Sequence, residues 1–108
     1  MFKVIKKDEA LGAYIEDIDL SMISKETSTE LLSCLAENEV LFFRNQNISP
    51  KDHKRFASFF GNLQTHPAYP TVESFPEITI LENDEENPSK IEEWHTDMTF
   101  KKNPPLGS

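Results

Sequence analysis

The sequence predicts an α+β fold, and three observations lead there. Short runs rich in aromatic and β-branched residues recur along the chain, two segments between them carry helical apolar spacing, and the order strand, strand, helix, strand, helix, loop, strand follows no regular βα alternation. At 108 residues the chain has the size of one domain.

The elements follow in order. Phe2-Lys-Val-Ile5 and Ala13 to Leu20 read as strands separated by Gly12. Between Ser24 and Asn38, Leu31, Leu32, Leu35 and Ala36 predict one apolar helix face. Val40-Leu-Phe-Phe43 is an uninterrupted apolar run too short for a helix, so it reads as a strand buried on both faces.

Ser49, Pro50 and Asp52 then supply a helix start: an N-cap acceptor, a proline whose missing N–H costs nothing there, and a carboxylate at the positive end of the dipole. Phe56, Phe59 and Phe60 predict the apolar face, and Gly61 a left-handed cap. Pro67, Pro70 and Pro76 keep His66-Pro-Ala-Tyr-Pro70 irregular, Glu77 to Leu81 alternates as a strand, and Trp94 to Phe100 has strand-like propensities. That last run leads straight into Pro104-Pro105 with no sequence-adjacent partner, so residues 1–108 read as the front portion of a larger domain.

Charge narrows the partners. The chain carries 19 acidic and 11 basic residues, a net −8, which disfavours nucleic acid and anionic membrane surfaces. Seven acidic residues and one basic residue fall in 82–97, giving that stretch a net −6. The lone Cys34 asks for no oxidising compartment, and neither an apolar leader core nor a run of membrane-spanning length occurs. A cytoplasmic protein with a small-molecule, metal or protein partner is the expectation.

Three histidines are available. His53, on the predicted phenylalanine-rich helix, reads as an ordinary surface residue. His95 is followed by Asp97; in an extended strand residues i and i+2 share a face, so imidazole and carboxylate can converge on one ion. With a second, distant histidine they would make a 2-His-1-carboxylate triad, which leaves three positions open. The acidic loop 82–93 places Glu82, Asp84, Glu86 and Glu93 at calcium-loop positions, but Asn87 stands where the sharp turn wants glycine, so a solvated connection is the better reading.

A His-x-Asp pair alone is a weak signal. Its setting is specific: Trp94-His-Thr-Asp-Met-Thr-Phe100 followed by Pro104-Pro105 resembles the iron-binding strand of the TauD/TfdA family of iron(II)- and 2-oxoglutarate-dependent dioxygenases, and is most similar to its taurine-type members. Val40 to Pro50, Phe59-Phe-Gly61, His66 to Pro70 and Ile78 to Leu81 follow the family's order and approximate spacing, so the resemblance runs from about Gly12 to Pro105.

The resemblance implies the N-terminal part of a double-stranded β-helix, or jelly roll, with the acidic loop at 82–93 as a candidate lid and the iron-ligand strand at 94–100. It implies His95 and Asp97 as iron ligands, and His66, Tyr69, Met98 and Phe100 as substrate-pocket residues, with His66 hydrogen-bonding a sulfonate oxygen. Fe(II), 2-oxoglutarate and O2 are the implied cofactor and cosubstrates; a small sulfonate such as taurine would be hydroxylated, releasing sulfite, succinate and CO2. The second histidine ligand and the Arg and Thr that grip 2-oxoglutarate are expected beyond Ser108, so the chain alone is expected to bind iron weakly and turn over nothing. The family commonly forms homo-oligomers.

Ile91 departs from the pattern, since taurine enzymes place an Asn there against the substrate. That leaves an alkyl sulfate, an aryloxyacid or a carboxylic acid as alternative substrates. A catalytically silent acidic binding module is the alternative from another class.

Overall fold

A computed structural model describes residues 1–8, 11–66, 68–91 and 93–108. The expectations placed on Ala10, Pro67 and Glu92 lie outside the described residues. The chain divides into two compact units, Met1–Phe60 and Gly61–Ser108.

In the first unit the elements are β1 (Lys3–Lys6), β2 (Ala13–Glu16), α1 (Lys25–Asn38), β3 (Leu41–Phe43) and α2 (Pro50–Ser58). The sheet order is β1-β2-β3, with β1 antiparallel and β3 parallel to the central β2. The parallel pair needs a crossover, and α1 provides it. Gly12 enters β2 at φ 99°, and a Cβ there would lie 3.1 Å from Lys7 Cδ and 3.2 Å from Phe42 Cε2, so both the backbone angle and the space favour glycine.

The expected strand at 13–20 ends at Glu16, because Asp17 turns to φ 57°. Gln46 then stands in for a neighbouring strand: its Oε1 accepts from the Leu20 amide at 2.9 Å and its Nε2 donates to the Ile18 carbonyl at 2.9 Å.

Helix α1 begins at the N-cap Ser24, whose hydroxyl accepts from the Thr27 amide. Its inward side is not quite the predicted one. Leu31 is buried with Ser28 and Asn38, whereas Leu32 and Ala36 are exposed, so the stripe is centred on 28, 31, 35 and 38. The polar members are satisfied locally, Ser28 on the Lys25 carbonyl and Asn38 on the Cys34 carbonyl. Glu39 closes the helix at φ 66° with its amide on the Leu35 carbonyl.

Strand β3 was expected to be buried on both faces. It lies at the sheet edge instead, with Phe42 exposed and Leu41 and Phe43 half-buried against the core of Ile15, Leu20, Ile23 and Leu31. Phe42 meets the Tyr14 ring at 5.3 Å and carries Lys7 Nζ at 5.2 Å, so side chains of its own unit partly cover that outer face.

Helix α2 starts as predicted, with a full capping box between Ser49 and Asp52 and Pro50 in the first turn. Phe56, Phe59 and Phe60 pack against the core, and His53 is exposed, as read from sequence. Phe59 ends the helix in right-handed conformation, and the positive φ of Gly61, 139°, comes two residues later. Gly61 thus follows an extra turn rather than serving as the immediate left-handed cap.

Among the described residues the second unit holds one hairpin, β4 (Thr71–Val72) and β5 (Phe75–Thr79), joined through Glu73-Ser74 with Ser74 at φ 67°. Strand β5 starts two residues before the expected Glu77 and contains Pro76. The proline is tolerated because pairing jumps from Val72↔Phe75 to Thr71↔Thr79, and this irregularity asks no N–H of Pro76. No described helix is long and apolar enough to cross a membrane.

Candidate metal and substrate site

All six residues singled out for chemistry lie in the second unit. Residues 94–100 do not form the expected strand. Trp94 to Thr96 are irregular, Asp97 to Phe100 turn, and Met98 adopts φ 58°, with its carbonyl accepting from the Lys101 amide at 3.0 Å. A strand needs a ladder partner for its amides, and no described segment pairs with this one.

His95 and Asp97 nevertheless converge. Nε2 of His95 lies 3.0 Å from Oδ1 of Asp97, and Nδ1 donates to the Glu93 carbonyl at 2.8 Å. Both ring nitrogens therefore face acceptors, an arrangement satisfied by the doubly protonated ring. The Glu93 carbonyl, foremost, and the Asp97 carboxylate hold the His95 pKa above its ordinary value. Both side chains remain more than half or about half exposed, at 50% for His95 and 59% for Asp97, so an ion from solvent can reach them.

Their separation suits a metal. Metal–nitrogen and metal–oxygen bonds of about 2.0–2.2 Å at a right angle put two donor atoms about 3 Å apart. A proton on Nε2 is the one an ion would displace, while the Glu93 carbonyl keeps the ring oriented through Nδ1. The two side chains thus fit as neighbouring ligands. Among the described residues no group of three His, Cys, Asp or Glu converges on one point, so His95 and Asp97 form a pair of candidate donors and not a full triad.

The candidate substrate residues gather in part. The His66 ring lies 4.9 Å from the Tyr69 ring and 6.2 Å from the Phe100 ring, edge to face with the latter at 87°. Tyr69 and Phe100 are exposed, while His66 is half-buried. Met98 is half-buried in the turn between Asp97 and Phe100.

A residue the sequence reading missed is Gln64. Its Nε2 donates to the Asn103 carbonyl at 3.3 Å, tying the segment before His66 to the one after Phe100, while its Oε1 is buried without a hydrogen-bond partner among the described residues. Nothing in its local sequence marks it, because the partner is 39 residues away.

The acidic loop does not gather as a calcium site. Asp84 Oδ1 accepts from the Glu86 amide at 3.0 Å and the Asn87 amide at 2.7 Å, which makes it a turn-forming side chain.

The family model for the taurine catabolism dioxygenase TauD, TfdA family, matches residues 6–108. The chain belongs to that family. It is 33% identical over 92 residues to an alkylsulfatase of Acinetobacter baylyi, covering 83% of this chain and 28% of that protein. An alpha-ketoglutarate-dependent sulfonate dioxygenase of Saccharomyces cerevisiae is 30% identical over 115 residues, covering 95% of this chain and 28% of its own length. A solved taurine dioxygenase from Burkholderia xenovorans superposes with a TM-score of 0.63 at 25% identity, over 69% of this chain and 28% of that one. The chain spans a little over a quarter of the length of these relatives. Its resemblance to solved family members places it in their fold; the jelly-roll assignment remains the expectation stated from sequence.

Proposed function

We propose that this TauD/TfdA-family protein takes part in 2-oxoglutarate-dependent oxygenation of a small sulfur-oxyanion compound, a sulfonate such as taurine or an alkyl sulfate ester. The convergence of His95 and Asp97 at 3.0 Å carries the reading. Iron(II) with 2-oxoglutarate, when bound, supplies the power to hydroxylate the carbon bearing the sulfur-containing group. His95 Nε2 and Asp97 Oδ1 would hold two of its coordination positions. His66, with the Tyr69 and Phe100 rings beside it, would orient the anionic end of the substrate, and these residues together with Met98 would exclude water from the target carbon.

Two observations support widening the substrate beyond taurine. Ile91 offers no polar group at the position where taurine enzymes carry an Asn, and the related Acinetobacter protein is an alkylsulfatase. Full-length protein supplied with iron(II), 2-oxoglutarate and O2 is assayed for sulfite release from taurine and sulfate release from an alkyl sulfate. Succinate formed with either product supports the reading. No substrate-dependent succinate with either compound contradicts it.

A further inference from the structure

His66 Nδ1 lies 3.1 Å from the backbone nitrogen of Ala68. An amide N–H only donates, so Nδ1 is the acceptor, and a neutral ring then carries its proton on Nε2. Two rings flank the imidazole, Tyr69 at 4.9 Å and tilted by 48°, and Phe100 edge to face at 6.2 Å. The Gln64–Asn103 hydrogen bond ties together the stretches that carry His66 and Phe100. Among the described residues Nε2 has no recorded hydrogen-bond partner.

We infer that the Ala68 amide is a positioning group that fixes His66 as an Nε2–H donor, so that the site accepts a ligand through an acceptor oxygen and turns away an ammonium, which can only donate, at that point. This deepens the proposed reading and rests on it for the identity of the ligand, a sulfo or sulfate oxygen. The physical reason is the fixed polarity of the amide. A carbonyl in its place would bind Nδ1–H and leave Nε2 as an acceptor, which repels an oxyanion.

The test is 15N-edited NMR of the 108-residue chain at a pH where the imidazole is neutral. The expected result is a single Nε2–H tautomer for His66, with a 15N–15N coupling across the Ala68 N–H···Nδ1 bond. Ala68→Gly, which keeps the amide, retains both signatures; Ala68→Pro, which removes the N–H, gives a mixed tautomer. An Nδ1–H tautomer in the parent chain, or no coupling to Ala68, overturns the inference even where Ala68→Pro fails to fold. So does an unchanged tautomer in folded Ala68→Pro. Taurine or an alkyl sulfate is then added to the full-length protein; a bound ligand that shifts the Nε2 resonance supports the donor role, and one that leaves both ring nitrogens unmoved overturns it. A fixed Nε2–H tautomer with no binding of either compound upholds the amide lock and counts against the sulfur-oxyanion reading alone.

Discussion

His95 Nε2 and Asp97 Oδ1 stand 3.0 Å apart in a segment that is not a strand. The convergence comes from the turn that begins at Asp97 and from the Glu93 carbonyl that holds the far side of the ring, not from the two-residue repeat of extended backbone. Asp97→Asn keeps the shape but removes the charge that faces His95 Nε2 and that, in the proposed site, would ligate the metal. At least a tenfold loss of iron(II) affinity is expected in a calorimetric titration, on the scale of ~10–100-fold effects seen when support of a metal site is removed.

Gly12 links the first two strands at a point where only glycine fits. Gly12→Ala forces a side chain into φ 99° and against Lys7 and Phe42, and is expected to cost about 1–3 kcal/mol in denaturant unfolding. An unchanged midpoint would show that the turn relaxes without strain.

Glu39 is the converse case. It adopts φ 66° at the negative end of α1, a helix with no basic residue in its last turn. Glu39→Gly relieves both the left-handed backbone and the like-sign charge, and an increase of about 0.5–1 kcal/mol in stability is expected from the same measurement.

Much of the first unit is legible in the sequence because its signals are local. Ser49, Pro50 and Asp52 announce α2 through side chains that act on the next few amides, and Ser24 does the same for α1. What is not legible depends on distant partners. The shortening of β2 is set by Asp17 and by Gln46 reaching back 26 residues to Leu20, and the edge position of β3 is decided by strand order. In the candidate site the proximity of His95 and Asp97 is expected from their spacing, although the turn that brings it about is not. Gln64 is not, because its hydrogen bond spans 39 residues.

Asp19 provides the pH test. Its Oδ1 accepts from the Ser21 hydroxyl at 2.6 Å and the Ser21 amide at 2.9 Å, which hold its pKa below the ordinary carboxylate value. A depressed folded-state pKa adds stability that is present above the unfolded value and is lost as pH falls through the folded one. Carbonyl-detected NMR should find Asp19 titrating below the usual range, and Ser21→Ala should move it back upward. No difference between the two proteins would remove the hydroxyl as the cause.

Trp94, the sole tryptophan, is fully exposed and immediately precedes His95. Its emission is expected at the red, solvent-exposed limit and should be readily quenched by acrylamide. A blue-shifted, protected emission would show that another surface covers it.

The same tryptophan reads the candidate metal site most directly. Anaerobic titration of the 108-residue chain with iron(II) is expected to quench Trp94 emission with weak, saturable binding, as two protein ligands allow, and His95→Ala or Asp97→Ala should abolish the saturable phase. Saturable quenching that survives both substitutions, or no quenching by the parent chain at any accessible iron(II) concentration, would contradict the assignment of His95 and Asp97 as a metal-binding pair.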